Sequence, residues 1–226
     1  MEKQADDFRR GHRARLREKF MENPQITDAE LLELLLTYAV PRIDVKPIVR
    51  GLLARFGSYS GVISATPTDL MRVRGVGRGI VVFICALYSG TLRGYVSAMK
   101  NSPVFNDWAI LENYCKMRLA TKTTEEFHIL YLDNNSRLQE DELHAAGTID
   151  HAVAYPREIL KRALDLNSRF VILVHNHPNG SPLFSQDDIV LTRAVIEILK
   201  TVKITMHDHL LVAGGQLFSA RAMNLI

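Results

Sequence analysis

One stretch in the C-terminal third, residues 170–188, constrains the fold of this chain more than any other. It opens with the continuous apolar run Phe170 to Val174, and a turn cluster of Pro, Asn and Gly follows at residues 178–182. A short apolar run bounded by turn residues is typical of a buried β-strand. Because alternate side chains of a strand share one face, His175 and His177 are predicted to point at the same spot at the end of this strand.

A helix is predicted to begin directly after the turn. Apolar residues recur at mostly helical spacing over residues 189–202, and Ser185 stands at the N-cap position. Asp188 then falls in the first helical turn, where the tight turn carries its carboxylate back toward the strand end. Two histidines and one aspartate leave an open fourth position on a tetrahedral zinc ion, the arrangement of a catalytic site. The Ser-x-x-Asp pattern also fits a helix cap that needs no metal, and the two interpretations are compatible.

The spacing of these residues resembles a known metalloprotease signature. The pattern H-x-H-x7-S-x2-D, filled by His175, His177, Ser185 and Asp188, is similar to the JAMM motif of the MPN+/JAB fold. Within that superfamily the chain resembles RadC proteins almost end to end. Four further motifs occur in the expected order: Glu125-Glu126-Phe127 leading to Leu132-Asp133, Gly147-Thr148, Pro156-Arg157-Glu158, and Asp208-His209.

The resemblance implies a fold, a cofactor and a reaction. The fold would be α/β, with a mixed MPN/JAB-like sheet flanked by helices and a small all-α module in front of it. The cofactor would be one zinc ion per chain, bound by His175, His177 and Asp188. The reaction would be hydrolysis of a peptide or isopeptide amide bond, with Ser185 hydrogen-bonding the developing oxyanion or the water.

Glu125 is the expected proton carrier, because the resemblance places the catalytic glutamate two residues before Phe127. A strand is predicted over residues 127–132, so this carboxylate lies at a strand end and not in the core. A carboxylate there can take a proton from water as general base and return it to a leaving amine as general acid. Glu126 is the alternative if the register shifts by one, and a solvated acidic pair is the structural alternative.

The other histidines and acids near these motifs are predicted to have structural or supporting roles. The second His-x-His, at His207 and His209, lacks a following turn and Ser-x-x-Asp, so it is predicted to be structural or to support the metal ligands. Asp208 between them is suited to accept an N–H from a metal-bound imidazole. Glu158 fits either a supporting role or an exposed acid in a first helical turn. The letters His-Asn-His at residues 175–177 do not match the HNH nuclease motif, whose residues are dispersed over a hairpin and a helix.

The first 100 residues are predicted to form a separate helical module. They carry 16 Lys and Arg against 10 Asp and Glu, whereas residues 101–226 carry 12 against 15. Lys100 to Pro103 is the expected linker, which divides the chain into domains at 1–100 and 103–226. A basic first helix, at about residues 6–21, is either a solvated face or a phosphate-contacting one.

Two helical patterns joined by Gly75-Val-Gly77 resemble a helix-hairpin-helix. In such a hairpin the glycines let the backbone approach DNA, and the second helix offers N–H groups to a phosphate. Arg74, Gly75, Gly77 and Arg78 are the predicted DNA contacts. A short Gly-x-Gly also occurs in packing modules, and the usual Lys after the second glycine is absent. A DNA-binding accessory protein of DNA repair, an association that the RadC resemblance brings, is therefore one alternative function, and a metal-dependent nuclease is another.

The cysteines and the lengths of the apolar runs predict the cellular compartment. Cys85 and Cys115 lie in apolar stretches without ligand spacing, which predicts core thiols in a reducing cytoplasm. The longest wholly apolar run, residues 80–88, is shorter than the roughly 20 residues of a membrane span, and no apolar signal core follows the N-terminal charges. We therefore expect a cytoplasmic protein without a membrane partner, acting on a peptide or protein. The oligomeric state is not predicted.

Overall fold

The structure, a computed structural model, describes residues 2–147 and 155–226. Contacts divide the chain into two units, residues 1–90 and 91–226. The predicted linker is only partly irregular, because the helix before it continues through Lys100 and Asn101. The division expected at 1–100 and 103–226 stays a prediction.

The first unit is helical in its described part. Its helices are α1 (Glu2–Glu22), α2 (Asp28–Ala39), α3 (Lys46–Phe56), α4 (Tyr59–Ile63), α5 (Pro67–Met71) and the beginning of α6 (Arg78–Asn101). A capping box between Thr27 and Glu30 starts α2, and Gly57, with a positive φ of 80°, follows α3. Buried side chains from these helices form the core: Leu32, Leu36, Leu52, Val62, Leu70 and Ile84.

Helix α6 is long and apolar. Among the described residues it is the one helix with the length and composition to cross a membrane, and 22% of its apolar window is buried. Core helices of soluble proteins can have the same length and composition. The absence of a membrane partner and the cytoplasmic location therefore stay predictions. Both cysteines are free thiols, with Cys115 buried and Cys85 half-buried.

The second unit is built on one five-stranded mixed sheet. Along the chain, a 3-10 turn (Val104–Asn106) and α7 (Trp108–Leu119) precede β1 (Glu125–Leu132), β2 (Leu138–Gly147), α8 (Pro156–Asp165), β3 (Phe170–His177), α9 (Gln186–Lys200), β4 (Thr205–Ala213) and β5 (Gln216–Ser219). The strand order is β2-β1-β3-β4-β5. Strands β3 and β4 are parallel and the other neighbouring pairs are antiparallel. This confirms the predicted mixed α/β architecture.

The two faces of the sheet carry different partners. On one face, side chains of β1, β3 and β4 pack against α8 and α9 in a core that includes Ile129, Leu173 and Val195. On the other face, Tyr114 and Cys115 of α7 lie near residues of β1, β2 and β3. The central strand β3 is buried along nearly its whole length and therefore ends rigidly at its histidines.

Strand β2 was not expected from the sequence, and the segment that follows it is only partly described. The pattern did not predict β2 over Leu138–Gly147, which is polar and forms an edge of the sheet. The sequence of residues 147–155 favours a strand or an extended rim, but most of this segment, residues 148–154, lies outside the described residues. Gly147 ends β2, and Tyr155 is the N-cap of α8.

Candidate metal centre

Three predicted ligands converge where β3 ends and α9 begins. His175 and His177 share one face of β3, and Asp188 is the third residue of α9. Their ligand atoms all lie within 4.8 Å of one another. The Nε2 atoms of His175 and His177 are 3.2 Å apart, and Asp188 Oδ1 is 3.4 Å from the first while Asp188 Oδ2 is 3.7 Å from the second.

A helix cap holds the aspartate in this position. Ser185 Oγ donates to Asp188 Oδ2 at 2.6 Å, the Ser185 N–H donates to the same oxygen at 2.7 Å, and the Asp188 N–H donates to Ser185 Oγ at 3.1 Å. This is a reciprocal capping box. The cap and the ligand cluster therefore coexist, and the cap orients the carboxylate toward the histidines.

The electrostatics of the cluster favour positive charge. Burial alone would raise the pKa of Asp188, but the adjacent imidazoles of His175 and His177 and the Ser185 hydroxyl lower it far below its ordinary value. The Asp188 carboxylate raises the pKa of His177 against the opposing effect of burial, and the charge of Glu125 adds to the rise. A cation at this point would be stabilised by the same groups.

The outer nitrogens of the two imidazoles are also engaged. His177 Nδ1 donates to the carbonyl of Ser181 at 3.1 Å, which leaves Nε2 facing the cluster. His175 Nδ1 is 2.9 Å from Nε2 of His209, a fully buried residue of β4. His209 Nδ1 in turn lies 2.6 Å from Oγ1 of Thr192 on α9.

The prediction that Asp208 contacts a ligand imidazole is wrong. Its carboxylate accepts instead from the N–H groups of His209 and Arg221 and from the Ser219 hydroxyl, on the side of β5. The neighbouring His209 takes the supporting position. Glu158 is half exposed and its carboxylate lies 3.8 Å from His144 Nε2, which fits the exposed first-turn acid.

The structure distinguishes the two predicted glutamates. Glu125 lies on the same face of β1 as Phe127, the Cα partner of His175, and its charge acts on His177. Glu126 faces the other side, where its carboxylate is 2.8 Å from Lys122 Nζ and 3.3 Å from His128 Nε2. The geometry therefore favours Glu125 as the acid–base group.

Asn176, which the sequence reasoning did not single out, holds the backbone on both sides of Glu125. Its Oδ1 accepts from the Glu126 N–H at 2.8 Å, and its Nδ2 donates to the Thr124 carbonyl at 3.1 Å. The side chain is buried. Only its place between the two histidines hinted at a role, because its partners come from another strand.

Aromatic rings close around the buried imidazoles. Phe184 lies edge-on to His175 and His209, with ring centroids 5.7 and 5.2 Å away, and Phe127 is stacked 5.9 Å from His175. These contacts surround the imidazoles with apolar groups, which strengthens electrostatic interactions among them.

The predicted DNA contacts lie in the first unit, at the turn between α5 and α6. Gly75, with a positive φ of 88°, and Gly77, with open space around its Cα, lie in the turn that joins these helices, and its role as a DNA-binding hairpin stays a prediction. Arg74 and Arg78 are exposed, and Arg78 begins α6. Arg72, by contrast, is paired with Asp69 at 3.0 Å.

Together the sheet and the two-histidine, one-aspartate cluster define the class of an α/β domain with a group of side chains that could hold a metal ion. Comparison with known proteins gives the family. The family described as "RadC-like JAB domain" matches residues 105–225. A "UPF0758 protein" of Rhodobacter capsulatus is 41% identical over 213 residues, which cover 93% of this chain and 100% of that relative. The chain therefore belongs to the RadC family, within the JAB fold.

Proposed function

We propose that this chain is a zinc-dependent hydrolase that cleaves a peptide or isopeptide amide bond. The observation that carries the proposal is the convergence of two imidazole nitrogens and a carboxylate beside the strand end that bears Glu125. Membership in the RadC family supports a relation to JAMM-type proteins, and the reaction itself is our inference.

The donor set fits zinc. Ligands of a tetrahedral zinc ion with Zn–N and Zn–O distances of about 2.0 to 2.1 Å lie about 3.3 Å from one another. The observed separations are 3.2, 3.4 and 3.7 Å. Acceptor atoms at these distances repel one another unless a cation or an extra proton lies among them. His175, His177 and Asp188 would therefore hold the ion and leave one position open.

A bound zinc ion would supply Lewis acidity, lowering the pKa of water and polarising the scissile carbonyl. Glu125 would take a proton from the attacking water and return it to the leaving amine. Ser185 has its hydroxyl near the cluster, but its hydrogen is donated to Asp188. Its proposed contact with an oxyanion requires that hydroxyl to rotate when substrate binds.

The test combines zinc analysis with a substrate panel. We expect about one zinc per chain, and we expect His175→Ala to lose it. Glu125→Gln should keep the zinc and lower the hydrolysis rate by about 10²- to 10⁴-fold. Glu126→Gln is the matched control, because that carboxylate points to the opposite face of the sheet, and it should retain most of the activity.

The panel contains peptides, isopeptides and DNA, each with and without a chelator. Zinc retained at full stoichiometry by His175→Ala would place the metal elsewhere. Cleavage of DNA that is lost in Glu125→Gln, without any hydrolysis of peptides, would favour the metal-dependent nuclease over the peptidase.

A second function, nonspecific DNA binding by the first unit, is favoured by one observation. The open hairpin at Gly75 and Gly77 leads directly into α6, with the exposed side chains of Arg74 and Arg78 beside it. N–H groups at a helix start can receive a phosphate, and the arginines would add charge. This function is compatible with hydrolysis in the other unit.

Its test is DNA binding by the full chain as a function of salt. Replacing Arg74 and Arg78 by Ala should weaken binding and reduce the slope of log affinity against log salt by about 1 for each lost phosphate contact. Lys161→Ala with Arg193→Ala removes the same charge from the second unit and should leave the slope unchanged. Equal effects of the two double variants would remove the hairpin as the contact.

A further inference from the structure

Four groups in contact form a chain from α9 to the candidate metal ligand. The Asp188 carbonyl lies 2.5 Å from Thr192 Oγ1, which lies 2.6 Å from His209 Nδ1, and His209 Nε2 lies 2.9 Å from His175 Nδ1. Thr192 and His209 are both buried and outside the predicted ligand set. Each contact in the chain needs one hydrogen, and only certain placements of the hydrogens satisfy all three.

The Asp188 carbonyl determines which group donates in each of these three hydrogen bonds. A carbonyl oxygen only accepts, so the single hydrogen of the Thr192 hydroxyl must lie on its bond to Asp188. The hydroxyl oxygen then accepts from His209, whose Nδ1 must carry a hydrogen. Two acceptors at 2.6 Å without that hydrogen would repel each other inside the core.

The hydrogen on His209 Nδ1 also determines whether the other nitrogen of this imidazole donates or accepts. This ring is fully buried and contacts Phe127 and Phe184, and no carboxylate of the described residues is hydrogen-bonded to it, so the uncharged form with one N–H is favoured. With the hydrogen on Nδ1, its Nε2 is an acceptor. His175 must then donate from Nδ1, which leaves the Nε2 of His175 as the atom presented to Asp188 and His177.

We propose that Thr192 and His209 are positioning residues that fix the hydrogen of His175 on Nδ1 and so present its Nε2 lone pair to a divalent metal ion. This proposal rests on the proposed zinc site. It adds a determinant of metal affinity outside the ligands, because His209 contacts the ligand His175 and Thr192 contacts His209. A hydrogen bond to the outer nitrogen also fixes the ring orientation and raises the basicity of the ligand. Ser181 has the same effect on His177 through a carbonyl.

The first arm of the test needs neither zinc nor a substrate. Long-range ¹H–¹⁵N NMR of the metal-free protein distinguishes protonated from bare imidazole nitrogens. We expect His209 to have a hydrogen on Nδ1 and none on Nε2, the form that a free neutral histidine disfavours, and His175 to have its hydrogen on Nδ1. A hydrogen on Nε2 of His209 would make His209 the donor to His175, which would overturn the proposal.

The second arm measures zinc affinity by competition with a chelator. Thr192→Val keeps the shape of the side chain and removes the hydroxyl, and we expect it to weaken zinc binding about 10- to 100-fold. Thr37→Val is the matched control, because Thr37 is buried in α2 and also donates to a helix carbonyl, and it should leave zinc affinity unchanged. Equal affinities of the two variants would overturn the proposal.

Variants of His209 separate the loss of an acceptor from a loss of packing. His209→Gln offers a carbonyl oxygen to His175 Nδ1 and should bind zinc within a few-fold of the wild type. His209→Phe fills the ring volume without an acceptor and should bind about as weakly as Thr192→Val. If the wild-type protein binds no zinc, the proposed function fails, while the NMR arm still decides the direction of the chain.

Discussion

Asn176 lies between the two candidate ligands but points to the other face of the sheet, because neighbouring residues of a strand alternate. Its amide satisfies one carbonyl and one N–H that flank Glu125. An amide suits this position because it offers a donor and an acceptor side by side, which a serine or an aspartate does not. One short segment of β3 thus places the candidate ligands on one face and holds the backbone around Glu125 from the other.

Asn176→Ala should lower the unfolding free energy by about 1 to 3 kcal/mol, because two backbone groups lose their partners. Hydrogen exchange at the Glu126 amide should become faster, while zinc binding changes little. Thermal unfolding and amide exchange measure these effects. Asn134→Ala, at an exposed residue of the turn between β1 and β2, is the control and should change stability by less than about 0.5 kcal/mol. Unchanged exchange at Glu126 would show that the contact does not hold the backbone.

At the scale of elements, alternation along β3 was enough to predict that His175 and His177 meet. Asp188 followed from the start of α9, a local signal. A supporting role was one of the two predictions for His209, and the structure places its ring against His175. Only the expected contact of Asp208 with an imidazole is absent, because the choice between these neighbours depends on the register of β4 against β3, which shifts between Val171 and Ile172. A change of register by one residue moves every side chain to the other face, and sequence alone does not determine it.

The cap of α9 can be compared with a similar cap elsewhere in the chain. Ser185 with Asp188 and Thr27 with Glu30 form reciprocal capping boxes of the same kind. Ser185→Ala and Thr27→Ala should each cost about 0.5 to 2 kcal/mol of stability. Only Ser185→Ala should also weaken zinc binding, by about 10-fold, because it frees the carboxylate of Asp188. Chelator competition and thermal unfolding of both variants check this. Equal zinc affinities would show that the Ser185 cap does not hold Asp188 for zinc binding.

The contact of α7 with β1 and β2 is built around a buried carboxylate. Asp141 accepts from Tyr114, lies 2.9 Å from His128 Nδ1 and is 3.4 Å from Arg118 Nε. Burial would raise the pKa of Asp141, but His128, Tyr114 and Arg118 together lower it below its ordinary value. The folded state therefore binds this proton less readily than the unfolded state, and stability is gained as pH rises.

Asp141→Asn is expected to lower the melting temperature at pH 7, where the stabilisation from the carboxylate is complete. The difference from the wild type should shrink as the pH falls below about 4, the ordinary carboxyl pKa, and through the lowered folded value. Melting curves of both proteins between pH 7 and pH 3 measure it. A difference in melting temperature that stays constant over this range would mean that the substitution destabilises the protein through lost packing and not through lost charge.

At the scale of the whole molecule, the excess of basic residues lies in the first 100 residues and the candidate metal centre in the second unit. The only tryptophan of the chain, Trp108, lies in α7, so its fluorescence reports on the second unit, whereas circular dichroism reports on the helices of both. The two signals therefore allow the effect of a ligand to be assigned to one unit.

Zinc should stabilise the unit that carries the fluorescence signal. A ligand at 100 times its dissociation constant that binds only the folded state adds about 2.7 kcal/mol to stability. For a unit of this size that raises the melting temperature by several degrees. We expect the fluorescence-detected transition to rise with zinc and to return with a chelator, and Asp188→Asn to abolish the shift. Because the first unit contains no proposed ligand, any part of the circular dichroism transition that belongs to it should not move. A shift that survives in Asp188→Asn would mean that zinc stabilises the protein through other groups.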